Sequence, residues 1–146
     1  MKSSAVIIVT CAIVLLLVLG IGQRSDRNTL TGIVTHVRDG DTIEVAKVPV
    51  RLNGVAAPEL NEPHGQEAKT FMARLVSRKT VRCDLNGERN GDRVIGICFL
   101  NGQDIGETII SAGLARDCPR YSKGRYDDFN TAASKQLPLP GYCNRH

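Results

Sequence analysis

The sequence contains no tryptophan, and aromatic residues make up only 4% of its 146 residues. A buried core must therefore use aliphatic side chains, which a hydrophobic content of 42% can supply. Histidine occurs three times and no Cys-x-x-Cys pair is present, which argues against a zinc site. The sequence also lacks a Gly-x-Ser-x-Gly elbow, a Walker loop and a dinucleotide-binding glycine motif, so those enzyme classes are not indicated.

The charge of the chain is mildly positive. The formal net charge of +4 permits contact with a polyanion without requiring it. The chain is long enough for one domain and too short for two ordinary ones. We assign residues 24–30 to a polar linker, residues 31–136 to the domain and residues 137–146 to a tail rich in proline and glycine.

The N-terminal segment, residues 1–23, contains the one long apolar run. Residues 5–22 approach the roughly 20 residues that span a bilayer. They also exceed the roughly 7–15 residues of a typical signal-peptide core. Three interpretations remain open: an uncleaved signal anchor, a cleaved export signal or a buried helix. The first two predict a domain outside the cytoplasm, either anchored in the membrane through residues 5–22 or released to the periplasm or medium.

Short β-rich runs and tight turns dominate the first half of the domain. Strands are predicted over 31–37, 42–46, 50–54, 80–85 and 93–100, with a polar turn over 86–92. An amphipathic pattern predicts a helix over 65–77, and weaker patterns predict helices over 105–112 and 127–135. This inventory indicates an α+β fold, a five-stranded OB-type barrel with about three helices, preceded by the apolar N-terminal helix.

Four of the five cysteines form an even set, since Cys11 lies in the apolar segment. Cys83 and Cys98 lie on two strands joined by a turn and could face each other in an antiparallel hairpin. We predict a Cys83–Cys98 disulfide and, by elimination, a Cys118–Cys143 disulfide that ties down the tail. Disulfides indicate an oxidising compartment. The alternative is four buried free thiols.

Two acids and two arginines fall within about fifty residues of one another. Asp41 follows a tight Asp-Gly turn, and Arg51 lies on the next strand. Glu59 follows a proline, and Arg93 begins a later strand. Each residue alone is more often a solvated surface charge. Together they suit phosphodiester hydrolysis, because a cation and two guanidiniums stabilise an anionic transition state while an acid activates water.

Several stretches in this order resemble the thermonuclease (staphylococcal-nuclease-like) family. They are Gly32–Ile43, Val50–Glu59, Gly65–Ala68, Asp92–Arg93 with Cys98–Phe99, and Gly113–Ala115. The resemblance implies an OB-type barrel with three helices. It also implies a Ca²⁺-dependent nuclease that attacks DNA and RNA.

The resemblance also implies roles for individual residues. Asp41 and the backbone carbonyl of Ala57 would bind the metal ion. Arg51 and Arg93 would bind and stabilise the phosphate. Glu59 would act as the general base or orient the attacking water.

One metal ligand of the family is absent here. Ala56 stands where the family usually has an aspartate, and its side chain offers no ligand atom. Because Ca²⁺ affinity depends on the number of charged ligands, we expect a weakened site. Asn53, Asn61 and Glu62 are candidates to compensate.

The turn before Arg93 is a second departure from the family pattern. Gly91 replaces a tyrosine and offers no ring for a base, and Asp92 could pair with Arg93 and compete with phosphate. Tyr121 or Tyr126 could supply a substitute ring.

These observations lead to two functional hypotheses, beside a purely structural envelope protein for which the set of acids and arginines offers no reason. The first is an exported Ca²⁺-dependent nuclease-like phosphodiesterase with weakened metal binding. The second is an OB-fold module that has lost catalysis and binds nucleic acid or another polyanion in the cell envelope. Both hypotheses include a monomer without a protein partner.

Overall fold

The structure, a computed structural model, describes residues 28–144. The predicted N-terminal helix, its proposed membrane contact through residues 5–22 and most of the linker lie outside this range. Within residues 28–144, no helix has the length and apolar character needed to cross a bilayer.

Eight strands build the β structure of residues 28–144. They are β1 (Thr29–Val37), β2 (Thr42–Val45), β3 (Val48–Leu52), β4 (Val55–Ala56), β5 (Thr80–Asn90), β6 (Arg93–Leu100), β7 (Gln103–Asp104) and β8 (Arg116–Asp117). The main sheet has the order β3-β2-β1-β5-β6-β7, and β3 also lies parallel to β6, which closes the sheet into a barrel. The short strands β4 and β8 pair separately. The predicted α+β barrel is confirmed.

Four α-helices accompany the barrel in the described part of the chain. They are α1 (Gly65–Val76), α2 (Ile105–Ser111), α3 (Pro119–Ser122) and α4 (Ala132–Gln136). The apolar stripe of α1 is buried at Ala68, Met72 and Val76. The side chain of Asp104 accepts hydrogen bonds from the first backbone N–H groups of α2 and so caps that helix.

The predicted helix over 127–135 is wrong as one continuous element. A 3₁₀ turn covers Asp127–Phe129, and α4 begins only after Thr131. Asn130 is extended, and its side chain accepts a hydrogen bond from the backbone N–H of Asp117. The side chain of Thr131 then caps α4, so the chain is interrupted by polar contacts that a helical pattern does not reveal.

The predicted turn over 86–92 is also too long. Strand β5 continues to Asn90, and the register between β5 and β6 shifts between Leu85 and Arg89. Residues 86–90 are exposed, so their polar side chains suit a hairpin that extends into solvent. This extension brings Asn90 to the start of β6, next to Arg93.

Both predicted disulfides are present. Cys83 and Cys98 are directly paired on β5 and β6, and their bond lies within the aliphatic core. Cys118 and Cys143 join the start of α3 to a 3₁₀ turn at Gly141–Cys143. The first disulfide therefore reinforces two strands that already pair, whereas the second ties down the tail.

Candidate active site

A cavity of about 840 Å³ opens beside the barrel. One part of its lining consists of Arg51, Glu59 and Arg93, which we call the charged wall. Another part consists of Cys118, Tyr121 and Tyr142, which we call the tyrosine wall. The remaining lining residues are Leu52, Asn53, Gly54, Val55, Glu88, Arg89, Asn90 and Ile95. The structure thus brings the three predicted catalytic side chains into one cavity.

Asp41 forms an ion pair with Arg51 of the charged wall. The hairpin between β2 and β3 places Thr42 opposite Arg51, so Asp41 lies beside the arginine. Arg51 Nη1 is 2.6 Å from Asp41 Oδ1 and also donates to the Val55 carbonyl at 2.8 Å. These two contacts hold the guanidinium in one orientation at the cavity.

Both carboxylate oxygens of Asp41 are already engaged. Oδ1 faces Arg51 and accepts a hydrogen bond from the Thr42 hydroxyl at 3.2 Å. Oδ2 accepts from the backbone N–H of Ala57 at 2.8 Å. A metal ion at Asp41 would therefore have to compete with a guanidinium and an amide.

Burial raises the pKa of Asp41 to about 7, although the charge of Arg51 opposes this shift. The nearby Asp39 carboxylate raises the pKa further, and the Ala57 N–H lowers it. A metal ligand must be deprotonated to bind. Asp41 is thus a weaker ligand near neutral pH than an ordinary aspartate.

Arg93 approaches the same place from β6. Its Nη1 is 3.3 Å from the Thr42 hydroxyl, and its Nη2 donates to the side-chain oxygen of Asn90 at 3.0 Å. The parallel pairing of β3 with β6, in which Arg51 is opposite Ile95, explains why the two arginines share one cavity. Among residues 28–144, Arg93 forms no ion pair with a carboxylate, so its charge is available to a ligand.

Asp92 pairs with Arg38, and the possible ion pair of Asp92 with Arg93 is not formed among the described residues. Asp92 Oδ2 lies 2.8 Å from Arg38 Nη1, and this hydrogen bond lowers the pKa of Asp92. Arg38 also pairs with Glu44 at 2.9 Å. Asp92, which could otherwise compete with phosphate for Arg93, is therefore paired with Arg38.

Glu59 is exposed on the loop between β4 and α1. Its backbone N–H donates to Glu62 Oε2 at 2.8 Å, and its carbonyl accepts from the Glu62 N–H at 2.9 Å. A Cβ atom at Gly65 would lie 1.9 Å from the Glu59 carbonyl oxygen. Only glycine permits this close approach, which packs the loop against the start of α1, and Glu59 lines the cavity from this loop.

Ala56 lies in an apolar cluster. Its side chain is 3% exposed and packs with Cys118 and Cys143, with Leu139 against them. Ala56, which stands where the family usually has an aspartate, therefore packs against the Cys118–Cys143 disulfide.

The side chains present do not form a full calcium cage. Ca²⁺ takes six to eight oxygen ligands. Within the described range, no group of three or more His, Cys, Asp or Glu side chains is arranged to hold a metal ion. Of the candidates to compensate, Asn53 donates to the Tyr121 carbonyl and Glu62 accepts from Glu59. Asp41, beside Arg51, is buried and carries the carboxylate of the candidate metal site.

The two candidate replacement rings differ in position. Tyr121 is 39% exposed and lines the cavity. Tyr126 is 1% exposed, and its hydroxyl donates to Asp104, so its proposed contact with a base is wrong. Sequence reasoning missed Tyr142, which also lines the cavity. The signal was available, because Tyr142 precedes Cys143, and Cys118 lies three residues before Tyr121.

A small barrel that presents two arginines and a carboxylate in one cavity belongs to the class of proteins equipped to bind phosphate esters. Residues 49–136 match the family model described as staphylococcal nuclease homologue. This match covers more than half of the chain, and the chain belongs to that family.

Relatives of this chain include proteins named as nucleases and one named for polysaccharide synthesis. An uncharacterized endonuclease of Haemophilus influenzae is 28% identical over 113 residues, which cover 74% of this chain and 64% of the relative. A probable staphylococcal-like nuclease of rice is 29% identical over 105 residues, covering 69% of this chain and 28% of the relative. A succinoglycan biosynthesis protein of Rhizobium meliloti is 35% identical over 102 residues, covering 62% of this chain and 53% of the relative. The chain thus spans between about a quarter and two thirds of these relatives' lengths.

Proposed function

We propose that this chain is a nuclease-like phosphodiesterase that hydrolyses DNA or RNA. The observation that carries the proposal is the placement of Arg51, Glu59 and Arg93 in one cavity. The family match and the endonuclease-named relatives support it.

In the proposed reaction, Arg51 and Arg93 bind the non-bridging oxygens of the scissile phosphate. The Glu59 carboxylate takes a proton from water, and the water oxygen forms a new bond to phosphorus. The bond from phosphorus to the leaving sugar oxygen breaks, and that oxygen takes a proton from solvent. The two guanidiniums stabilise the negative charge that grows on the phosphate oxygens.

Calcium dependence is proposed to be weak. Asp41 and the Ala57 carbonyl are the candidate ligands, but Asp41 pairs with Arg51 and Ala56 contributes no oxygen. We expect Ca²⁺ to act only at concentrations on the order of 10⁻⁴–10⁻³ M, as in weak natural sites. A bound ion would add positive charge beside the scissile phosphate, to which Arg51 and Arg93 already contribute.

We also propose that the domain acts as a monomer outside the cytoplasm. Two disulfides support this location, because such bonds persist in oxidising compartments. The apolar residues 5–22 fit either a membrane anchor or an export signal that is removed.

A second candidate function is binding without cleavage. The engagement of Asp41 by Arg51 and the apolar packing of Ala56 favour it, since both weaken metal capture. This module would hold nucleic acid or another polyanion through Arg51 and Arg93. Its affinity would fall steeply as salt rises.

The deciding experiment measures cleavage of labelled single-stranded DNA by the full-length chain in mild detergent, with Ca²⁺ and with a chelator. We expect cleavage with millimolar Ca²⁺, slower cleavage with the chelator, and a loss of about 10²- to 10⁴-fold in Glu59→Gln, the effect of removing a general base. Glu67→Gln, an exposed glutamate on α1 outside this cavity, is the matched control. Equal rates in wild type and Glu59→Gln, or binding with no cleavage at all, would reject the nuclease proposal.

A further inference from the structure

The turn formed by residues 38–42, between β1 and β2, contacts both Arg93 and the acid that precedes Arg93 in the chain. The Thr42 hydroxyl accepts a hydrogen bond from Arg93 Nη1 at 3.3 Å. Arg38 begins the turn, and its backbone N–H donates to the Thr42 carbonyl at 2.9 Å. Its side chain reaches Asp92, with Nη1 at 2.8 Å from Oδ2. One turn therefore contacts a phosphate-binding arginine and the acid beside it.

Asp92 lies at an exposed hairpin tip. Asn90 and Arg93 are paired across β5 and β6, so Gly91 and Asp92 form the two-residue turn between these strands. The Asp92 side chain is 63% exposed, so packing does not fix its direction. The hydrogen bond from Arg38 lowers the pKa of Asp92, and the charge of Arg93 lowers it further. Arg93 is thus near enough to attract the same carboxylate.

Glu44 fixes the guanidinium of Arg38 from its other side. Arg38 Nε is 2.9 Å from Glu44 Oε1, and the Glu44 side chain is 22% exposed. Glu44 belongs to β2 and is opposite His36 of β1, so the barrel holds this second acid in place. Because a guanidinium carries several donors in a rigid fork, Arg38 binds Glu44 through Nε and Asp92 through Nη1 at the same time.

We propose that Arg38 is a positioning residue, which holds Asp92 away from Arg93 and so leaves Arg93 available to a phosphate group. This inference rests on the proposed function and adds a residue that does not line the cavity. Without Arg38, the exposed Asp92 carboxylate would compete with phosphate for the Arg93 guanidinium. The competition should be modest, because an exposed ion pair gains little over the hydration of its two charges.

The test is a double-mutant cycle on the full-length chain in mild detergent, carrying Glu59→Gln to remove the proposed general base and suppress cleavage. The probe is a fluorescent eight-residue oligothymidylate, and fluorescence anisotropy gives its Kd. About 0.15 M salt screens distant charges. We expect Arg38→Ala to raise the Kd about 2- to 5-fold, the range of one exposed ion pair. Asp92→Asn should reverse this loss in the Arg38→Ala chain and change the Kd by less than about 1.5-fold where Arg38 is present.

Two controls separate this role from general charge. Arg82→Ala is the matched variant, because Arg82 is half-exposed, pairs with Asp84 on β5 and does not line the cavity. It should leave the Kd unchanged. In a chain that carries Arg93→Ala, the further change Arg38→Ala should also have no effect, since no guanidinium remains for Asp92 to occupy.

An unchanged Kd in Arg38→Ala, an equal gain from Asp92→Asn with and without Arg38, an equal loss in Arg82→Ala, or no oligothymidylate binding by the parent would overturn the role of Arg38. Urea denaturation reports the fold of each variant, and Arg38→Gln, which retains a donor for Glu44, replaces Arg38→Ala in the cycle if that chain unfolds.

Cleavage by the chain without Glu59→Gln is measured separately. If that chain cleaves while Arg38→Ala binds normally, only the positioning role fails. If Arg38 and Asp92 are coupled in binding but the chain does not cleave, only the proposed nuclease activity fails.

Discussion

The two walls of the cavity are held in different ways. Hydrogen bonds to the barrel orient the charged wall: Arg51 donates to the Val55 carbonyl, and Arg93 contacts Thr42 and Asn90. The tyrosine wall depends on the Cys118–Cys143 disulfide, which links residues 25 apart in sequence. Phosphate chemistry and recognition of the rest of the substrate can therefore be disturbed separately, and variants on each wall should show different defects.

Arg93→Ala should have the largest effect on cleavage. Removing one positioned donor to a developing anion costs about 10²- to 10³-fold in rate. Unfolding free energy should change little, because Arg93 is half-buried and its side chain donates hydrogen bonds to Thr42 and Asn90 at the edge of the cavity. Single-turnover cleavage and urea denaturation measure the two effects.

Arg74→Ala, which removes an exposed arginine from α1, is the control for this loss. A rate for Arg93→Ala within twofold of the control would show that the charged wall does not bind the reacting phosphate.

The two disulfides provide a direct comparison of stability with function. Replacing either cysteine pair by alanine should lower the unfolding free energy by about 3 kcal/mol, since the bridges close loops of similar length. Only Cys118→Ala with Cys143→Ala should also weaken oligothymidylate binding, because only that bridge holds Tyr142. The measurements are denaturation and fluorescence anisotropy on the same samples. Loss of binding in the Cys83→Ala, Cys98→Ala variant as well would remove the distinction between the walls.

Ala56→Asp should change the unfolding free energy by less than loss of a disulfide does, and the change should depend on calcium. Without Ca²⁺, the buried carboxylate should lower the unfolding free energy by about 1–3 kcal/mol, because Ala56 packs against the disulfide. Millimolar Ca²⁺ should reverse this loss, since the new carboxylate adds a charged ligand near Asp41. Thermal unfolding with and without Ca²⁺ gives both values.

The control for the calcium effect is Ala132→Asp, at an exposed alanine that begins α4. Stabilisation of that variant by Ca²⁺ to the same extent would mean that the ion acts through general charge. A lack of any calcium response in Ala56→Asp would show that the backbone here no longer supports a metal site.

The sequence was sufficient to predict the barrel and the Cys83–Cys98 disulfide. Alternating strands and tight turns are local signals, and an antiparallel hairpin places its two cysteines opposite each other. Arg51 and Arg93 were grouped first from their positions on predicted strands and then from the family resemblance. The structure supplies the physical cause of this grouping, the parallel pairing of β3 with β6.

Other features depended on contacts between distant segments. The pairing of Asp92 with Arg38 joins two turns that are far apart in the chain, and no local pattern indicates it. The packing of Ala56 against Cys118 and Cys143 likewise needs the folded tail. Tyr142 was overlooked although it precedes Cys143, because its place near Tyr121 follows only once the Cys118–Cys143 disulfide is combined with the position of Tyr121.

The most direct test is a crystal structure of the Glu59→Gln chain with a bound eight-residue oligothymidylate. The account predicts a backbone phosphate within hydrogen-bonding distance of both Arg51 and Arg93. An oligomer bound elsewhere, or one whose phosphates contact neither arginine, would contradict it.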